Sequence, residues 1–298
     1  MLHHNNCPLC KSSETEPLLS CTDYLVSGKD FELFRCSKCG FIFTQDPPDE
    51  SESGMYYKSA DYISHTNSSR TLFEKTYQLV RSFMLSRKRN LVIRATGKRR
   101  GNLLDIGSGT GHFLNIMKEA GWITTGIEIS EDARKYSSSS FGLNVVAPSD
   151  IETLTSGQFD CITLWHVAEH LHDLTGYFTN IKRLLKPGGS VIVALPNSDS
   201  FDCRYYGRYW AAWDVPRHLW HFNPETFSML VKREGFNVTS TSVLPFDVFY
   251  ISMLSEKSRN SKASFLNGMV MGKIFFLRTL LNNMKGSSVV YRLKAENQ

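Results

Sequence analysis

Three glycines alternate with small residues between an apolar run and a helical pattern, and this turn constrains the fold more than any other feature of the chain. Leu103–Phe113 reads LLDIGSGTGHF, with glycine at positions 107, 109 and 111. Glycine permits positive φ and lets a ligand approach the main chain closely, and a helix N-terminus offers unpaired N–H groups. The pattern predicts a strand, a tight turn and a helix that together hold a nucleotide-like ligand.

The spacing of the glycines separates this turn from two other nucleotide-binding turns. Dinucleotide-binding folds use G-x-G-x-x-G, and a P-loop ends in Gly-Lys followed by Ser or Thr; neither pattern occurs at this turn. An acid, Asp105, precedes Gly107. The resulting D-x-G-x-G-x-G resembles motif I of the class I S-adenosylmethionine (SAM) methyltransferases, in which the turn passes beside the methionine part of SAM.

The segments that follow resemble the same family in their order. The LLKPGG segment Leu184–Gly189 ends a helix with the expected stop signals and leads into a strand. The resemblance implies an α/β fold, a Rossmann-like seven-stranded class I methyltransferase sheet with helices on both faces. The six strands after the first are predicted at Ile123–Glu128, Leu143–Val146, Phe159–Trp165, Ser190–Leu195, Asn237–Leu244 and Ser287–Leu293.

The resemblance also implies a set of SAM-binding residues. The Glu128 carboxylate, at the end of the second strand, can accept hydrogen bonds from ribose hydroxyls. Asp105 would accept from the SAM ammonium or a bridging water, and Asp150 would meet the adenine amino group. The predicted cofactor-binding residues are Asp105, Gly107, Ser108, Gly109, Gly111, Phe113, Glu128, Ile129, Asp150, Ile151, Trp165 and His166.

Several ionisable side chains follow the carboxyl end of the fourth predicted strand, where Trp165–Asp173 reads WHVAEHLHD. Imidazoles titrate near neutrality and can remove a proton from an acceptor. Glu169-His170 resembles the pair found here in many small-molecule methyltransferases, including ubiquinone-type O-methyltransferases, some of which bind a divalent metal through it. Glu169, His170 and His166 are predicted catalytic residues; the alternatives are a wall of the SAM or substrate site, or a cap on the next helix.

The loop 197–222 is rich in Trp, Tyr, Arg and His, and loops of this kind are usually functional. Its WDVPRHLWHF stretch looks like the PRHL.HF signature of methyltransferases grouped with the ubiquinone and sugar enzymes. Zinc-ribbon-bearing deoxysugar C-methyltransferases have Glu-His near this position, with the His as base, whereas this chain has Arg217-His218. His218 is the predicted base, and Arg217 and His221 are predicted substrate contacts. Alternatively, the two histidines tie the loop to the helix below.

Four of the seven cysteines form two C-x-x-C pairs, and the chain shows no secretion signal. This spacing predicts a four-cysteine zinc site rather than disulfides, formed by Cys7, Cys10, Cys36 and Cys39. Four thiolates leave no position for water, so the zinc would be structural. It would hold together a ribbon that is too short for a core of its own; the alternative is a ribbon that docks nucleic acid or a partner.

The predicted domain layout is a zinc ribbon at 1–48, a linker and helical lid at 49–100, and a SAM-binding methyltransferase domain at 101–298. Within the last, residues 197–222 form a substrate loop and residues 246–286 a cap insertion.

The aromatic segment before the lid helix supplies further candidates. In related methyltransferases an N-terminal helical segment covers the SAM pocket. Tyr57 and Tyr62 are therefore predicted to contact substrate, with Tyr56 and His65 as further lid candidates. The alternative is that these side chains only pack the segment onto the sheet.

The net charge of +5 is unevenly distributed. Residues 255–298 contain eight Lys or Arg and two acids, so residues 1–254 carry about −1. Residues 1–50 are net acidic, which argues against a nucleic-acid partner. The apolar stretch Phe265–Met284 is either a cap helix or a basic amphipathic helix, so residues 264–285 are a candidate peripheral membrane contact. The expected location is cytoplasmic, and the expected state is a monomer or homodimer.

The expected function is methyl transfer from SAM to a small-molecule acceptor, with a nucleotide- or lipid-linked sugar in glycan or natural-product biosynthesis as the first choice. The expected cofactors are SAM and structural Zn²⁺. Two alternatives stay open: an RNA- or protein-modifying methyltransferase that docks its target with the ribbon, and a SAM-binding scaffold without catalysis.

Overall fold

The computed structural model describes residues 1–57 and 72–296, with side chains in the helix that begins at Leu72 described from residue 80 onward. The strands are β1 (Thr15–Thr22), β2 (Asp30–Cys36), β3 (Ile42–Thr44), β4 (Asn102–Ile106), β5 (Ile123–Ile127), β6 (Asn144–Val146), β7 (Phe159–Trp165), β8 (Leu185–Pro196), β9 (Trp220–His221), β10 (Phe236–Val243) and β11 (Ser288–Ala295). The helices are α1 (Glu50–Ser53), α2 (Leu72–Thr96), α3 (His112–Glu119), α4 (Glu131–Phe141), α5 (Leu174–Leu184), α6 (Phe201–Tyr206), α7 (Pro224–Arg233), α8 (Asp247–Ser258) and α9 (Ser264–Leu281).

The larger sheet has seven strands in the order β10-β11-β8-β7-β4-β5-β6. The strands from β8 to β6 are parallel, and β11 joins β8 and β10 in antiparallel fashion. The predicted fold class and strand order are confirmed. The main difference is that β8 begins at Leu185 rather than Ser190, because Leu185 already pairs with Phe159 ahead of a bulge.

Helices cover both faces of this sheet, because successive strand residues point to opposite sides. Leu104 and Ile162 pack in one core with apolar residues of α5, α7 and the N-terminal ribbon. Leu103 and Cys161, one position earlier, pack in another with residues of α2 and α3. Strand β7 is buried along its whole length, as expected for a parallel strand covered on both sides.

The glycine turn between β4 and α3 depends on glycine at each of its three positions. Gly107, Gly109 and Gly111 have φ of 72°, 54° and 79°, in the left-handed region. A Cβ on Gly107 would lie 2.3 Å from Cγ2 of Val167, so the turn packs directly against the loop that follows β7. The cofactor turn and the histidine-bearing loop therefore share one edge of the sheet.

The N-terminal ribbon is joined to the methyltransferase domain through a second sheet, of order β1-β2-β3-β9. Strand β9 lies in the loop 197–222, and its residues His221 and Trp220 pair with Ile42 and Phe43 of the ribbon. Phe43 is fully buried. The ribbon and the loop thus form one continuous packing unit, and the predicted boundaries at residues 48 and 100 remain a proposal.

The predicted cap insertion is an antiparallel helix pair, α8 and α9. Two glycines of α9 let the helices approach closely: a Cβ on Gly268 would lie 2.5 Å from Cα of Met253, and one on Gly272 2.8 Å from Cδ1 of Phe249. By length and composition α9 could cross a membrane, with a mean hydropathy of 1.2 and 22% of its residues buried.

We predict that Phe43→Ala destabilises the protein by about 3–5 kcal/mol, because it removes a fully buried aromatic side chain. Leu18→Ala is the control; Leu18 lies on β1 and is 38% exposed, so its loss is expected to cost less than about 0.5 kcal/mol. Urea unfolding followed by tryptophan fluorescence measures both. Equal effects of the two variants would contradict the packing of the ribbon on the larger sheet.

Candidate functional site

The Glu128 carboxylate stands at the carboxyl end of β5 and faces the glycine turn. Its Oε2 accepts from the Gly109 N–H at 2.8 Å, and its Oε1 accepts from the Ser130 N–H at 2.9 Å. The residue is buried. Each oxygen keeps a further lone pair for a ligand, so the carboxylate is positioned to accept from a ribose diol.

An acid, a lysine and an aromatic ring lie together beside the turn. Burial raises the pKa of Asp105 to about 7, while its Oδ1 accepts from Thr163 Oγ1 at 2.6 Å. The Lys88 ammonium of α2 lies 4.7 Å from the ring centroid of Trp165. Burial lowers the pKa of Lys88, and the charges of Asp105 and Asp247 oppose that drop. Because Lys88 already covers the Trp165 face, Asp105 is the group of these three that can accept from a cationic ligand.

The turn has space and unsatisfied polar atoms for a ligand. Among the described residues other than its two chain neighbours, none has an atom within 4 Å of a Cβ built on Gly109, so this side of the turn faces open space. Ser108 Oγ and Trp165 Nε1 are buried without a hydrogen-bond partner among the described residues. These features fit the predicted SAM site, which Phe113 borders by packing 5.5 Å from the Trp165 ring, centroid to centroid.

The other predicted cofactor residues lie around the edge of the larger sheet that carries the glycine turn, and they differ in burial and in their contacts. Gly111 faces inward, because a Cβ there would meet Leu143 and Ser137, and its contact with the cofactor stays a prediction. The Asp150 carboxylate accepts from the Ala147 N–H at 3.2 Å, and Ile151 is buried beside it. Ile129 is 75% exposed at the rim. Contacts of Asp150, Ile151 and Ile129 with adenosine stay predictions.

Glu169, His170 and His218 form a buried cluster beyond β7, although His218 comes from the loop 197–222. One ligand atom of each lies within 4.8 Å of the other two. The two imidazole centroids are 4.5 Å apart. Glu169 is 1% exposed, and neither of its carboxylate oxygens has a hydrogen-bond partner among the described residues. A buried carboxylate without a hydrogen bond calls for a proton, a cation or a ligand, and the His166 ring, with Nδ1 3.5 Å from Glu169 Oε1, supplies a neighbouring charge.

Backbone carbonyls fix the tautomers of both histidines. His170 Nδ1 lies 3.0 Å from the Arg217 carbonyl oxygen and 3.1 Å from Tyr57 Oη, and His218 Nδ1 lies 2.9 Å from the Ala212 carbonyl oxygen. A carbonyl only accepts, so this network assigns the proton of each ring to Nδ1. The Nε2 of neutral His170 then carries a lone pair, whereas His218 Nε2 lies 3.8 Å from Asp214 Oδ2. Burial, together with the neighbouring His218, lowers the pKa of His170 to about 4, so His170 is neutral at pH 7.

His166 differs from these two histidines in its electrostatic surroundings. Its Nε2 lies 3.0 Å from Asp247 Oδ2, and its Nδ1 lies 3.5 Å from Glu169 Oε1. Burial favours the neutral ring, but the two carboxylates outweigh it and raise the pKa of His166 to about 9. His166 is therefore protonated at neutral pH, which makes it a poor base and a counter-ion for Glu169.

Two predicted substrate contacts, Arg217 and His221, are engaged by the protein itself. The Arg217 guanidinium is almost fully buried and donates to Asp214 at 2.7 Å and to Asp23 of the ribbon at 3.1 Å. Burial lowers the pKa of His221 well below its usual value, and its Nε2 lies 3.0 Å from Thr44 Oγ1. In this structure both residues hold the loop against the ribbon, rather than tying it to the helix below as the alternative for His221 expects, and substrate contact stays a prediction.

The remaining predicted substrate residues lie at the N-terminal segment. Tyr57 contacts His170 through its hydroxyl, whereas Tyr62 and the lid candidate His65 lie outside the described residues. Sequence reasoning missed Asp23, Thr44 and Asp214, which position the loop. Asp23 is 194 residues from its partner Arg217, and no local pattern marks such a pairing.

The four predicted zinc ligands come together in the ribbon. Cys7 and Cys39 have their Sγ atoms 3.6 Å apart, and so do Cys10 and Cys36; all four lie within 4.8 Å of one another. Four sulfurs at about 2.3 Å from one ion would be about 3.8 Å apart, so the cluster has nearly the size of a zinc tetrahedron with four sulfur ligands.

The two cysteine pairs are held by equivalent turns. The Lys11 N–H donates to the Cys7 carbonyl at 2.9 Å, and the Gly40 N–H donates to the Cys36 carbonyl at 2.8 Å. The residue after each pair, Lys11 or Gly40, has positive φ. The turns therefore aim all four thiols at one point before any ion binds, and the donor set fits Zn²⁺.

Comparison with known proteins agrees with this geometry. A family model described as "Methyltransferase domain" matches residues 78–241. Ubiquinone biosynthesis O-methyltransferase of Thiobacillus denitrificans is 30% identical over 105 residues, which cover 33% of this chain and 45% of that protein. The same-named protein of Xanthomonas oryzae is 28% identical over 129 residues, covering 40% and 54%. The chain thus spans about half the length of the curated relatives it matches.

A solved structure shares the fold. The crystal structure of a putative sarcosine dimethylglycine methyltransferase from Galdieria sulphuraria superposes with a TM-score of 0.51 at 16% identity, over 75% of this chain and 88% of that one. At this identity the likeness concerns the fold alone.

We predict that Glu128→Ala weakens SAM binding by about 10- to 100-fold, since a hydrogen bond to a charged group contributes about 1.5–3 kcal/mol. Glu131→Ala is the matched control, because the Glu131 side chain is exposed and pairs only with Lys135 among the described residues. Titration calorimetry with SAM measures both. Unchanged affinity in Glu128→Ala would place the nucleoside elsewhere.

We predict one zinc ion per chain, lost in Cys10→Ser but retained in Cys21→Ser. Cys10 belongs to the four-thiol cluster, whereas Cys21 is a buried cysteine of β1 outside it. Elemental analysis of the purified variants measures the content. Zinc loss in both variants, or in neither, would contradict the assignment of the four ligands.

Proposed function

Because the chain belongs to the methyltransferase domain family, whose model matches more than half of it, we propose that it transfers the methyl group of SAM to a small-molecule acceptor at the Glu169–His170–His218 cluster. One observation carries the proposal: the imidazoles of His170 and His218 and the buried Glu169 carboxylate lie together on the loop side that packs against the cofactor turn. This arrangement can take up a proton where a methyl group arrives.

The residues divide the chemistry between binding and proton removal. Bound SAM would supply an electrophilic methyl group. Glu128 and the turn would hold the nucleoside end, and Asp105 would accept from the ammonium group of SAM. The Nε2 of His218 or His170 would take the proton of an acceptor O–H or N–H while the acceptor's lone pair bonds to the methyl carbon, whose bond to sulfur breaks with its electron pair on S-adenosylhomocysteine. The buried Glu169 carboxylate then stabilises the resulting imidazolium, while each Nδ1–H stays on its carbonyl.

The same three side chains could instead hold a divalent cation. Metal-bound histidines usually donate their other ring N–H to a carbonyl or carboxylate, as His170 and His218 do here. A cation at this position would lower the pKa of a bound hydroxyl and so replace the base. If the cluster holds a cation, the wild type contains a second metal ion in addition to the ribbon zinc, and Glu169→Gln loses it. General-base catalysis predicts the ribbon zinc alone.

The acceptor class rests on weaker support than the reaction. The curated relatives are named for ubiquinone biosynthesis, and the ribbon and the PRHL stretch resemble sugar methyltransferases. We keep a nucleotide- or lipid-linked sugar as first choice, acting in the cytoplasm, with the chain as a monomer or homodimer. The edge of the ribbon at β3 is already paired with β9, and the ribbon is net acidic. Both features favour a small acceptor over RNA.

We predict that His218→Ala or His170→Ala lowers the rate of S-adenosylhomocysteine formation by about 10²- to 10⁴-fold while SAM affinity is kept. His172→Ala is the control, because His172 lies in the same loop but contacts the Pro48 carbonyl rather than the cluster. The assay supplies sugar nucleotides and lipid-linked sugars as acceptors. Full turnover in both variants would remove the cluster as the base, and SAM binding without turnover of any acceptor would favour the scaffold alternative.

A further inference from the structure

Helix α9 presents an apolar face to solvent that is unusual for a soluble domain. At 100° per residue, the apolar side chains that are at least 39% exposed fall on one half of the helix. They are Phe265, Leu266, Met269, Val270, Ile274, Leu277, Leu280 and Leu281, with Leu280 67% and Leu281 90% exposed. Monomeric soluble proteins rarely expose a contiguous apolar patch of this size without a binding function.

The packing of α9 fixes which side faces outward. Its opposite side is buried through Gly268, Gly272, Phe275 and Thr279. The two glycines contact the backbone and side chains of α8 so closely that no larger residue would fit. The helix therefore cannot turn its apolar face inward, and with one side held against the protein it does not span a bilayer alone. The face is oriented to lie along a surface.

The charge around this face is positive. The exposed basic residues Arg259, Lys262, Lys273 and Arg278 flank it or project from it. Between Asp247 and Gly286, a range the structure describes throughout, the only acids are Asp247, which pairs with His166, and Glu256, which is 6% exposed. Long Lys and Arg stems can pack along apolar groups while their charges reach phosphates.

We propose that the outward face of α9 docks the protein on an anionic lipid bilayer, with the helix in the plane of the membrane surface. Apolar side chains would enter the interface between headgroups and acyl chains, and the basic residues would contact lipid phosphates. The docking surface is connected to the candidate site, because α8 begins at Asp247, the partner of His166. A lipid-linked acceptor could then reach the cluster without leaving the bilayer; that consequence rests on the proposed function, whereas docking does not.

The test is co-sedimentation of the full chain with vesicles of phosphatidylcholine alone, or with about one third phosphatidylglycerol. We expect binding to the anionic vesicles that weakens as salt is raised. The double variant Leu266→Glu/Leu277→Glu is expected to bind them at least about tenfold more weakly, and Lys273→Glu more weakly than wild type. Ile123→Glu is the control, since Ile123 is a 68% exposed apolar residue on β5 and should bind as wild type does.

SAM titration and circular dichroism of the same variants report whether they remain folded, independently of lipid binding or catalysis. Failure of the wild-type chain to sediment with anionic vesicles, or undiminished sedimentation of the double variant, would overturn the proposal. Sedimentation velocity tests whether a second copy of the chain covers this face instead. If the wild type is a dimer that does not bind lipid, and the double variant is a monomer, the face belongs to a dimer interface.

Discussion

The pairing of β3 with β9 is the interaction on which the candidate site depends. This pairing joins the small N-terminal ribbon to the loop that carries His218, and further contacts between the two strengthen the connection. Thr44 Oγ1 donates to the His218 carbonyl at 2.7 Å, and its N–H donates to the Leu219 carbonyl at 3.0 Å. The buried Asp23–Arg217 ion pair makes a second connection. Separating the loop from the ribbon would leave a buried charge without its partner, which is unfavourable, so the two stay packed together.

This constraint explains how three histidines close together acquire different chemistry. His170 and His218 are each oriented by a backbone carbonyl, whereas His166 is held between Asp247 and Glu169. Burial lowers the pKa of His170, and carboxylates raise that of His166. The cluster therefore combines a neutral imidazole, His170, with a protonated imidazole, His166, beside Glu169. A pair of titratable groups with pKa values moved in opposite directions is typical of acid–base sites.

The sequence alone predicts the seven-stranded sheet well, because each strand and each glycine of the cofactor turn has a local signature. The cysteine cluster is equally local. By contrast, β9 has two residues and pairs with a strand far away in the chain, so no periodicity reveals it. The burial of Arg217 depends on Asp23, and the meeting of His218 with Glu169 depends on the ribbon holding the loop; both are properties of tertiary packing. The exposed face of α9 was detectable as an apolar run, but its outward orientation follows only from Gly268 and Gly272.

A crystal structure of the zinc-loaded protein with S-adenosylhomocysteine tests the central claim most directly, namely that the ribbon holds a proton-accepting cluster against the cofactor turn. The account predicts ribose hydroxyls on the Glu128 carboxylate, one zinc on the four ribbon cysteines, and the thioether sulfur directed toward the space in front of His170 and His218. A nucleoside bound away from Glu128, or a sulfur directed away from the two histidines, would contradict it.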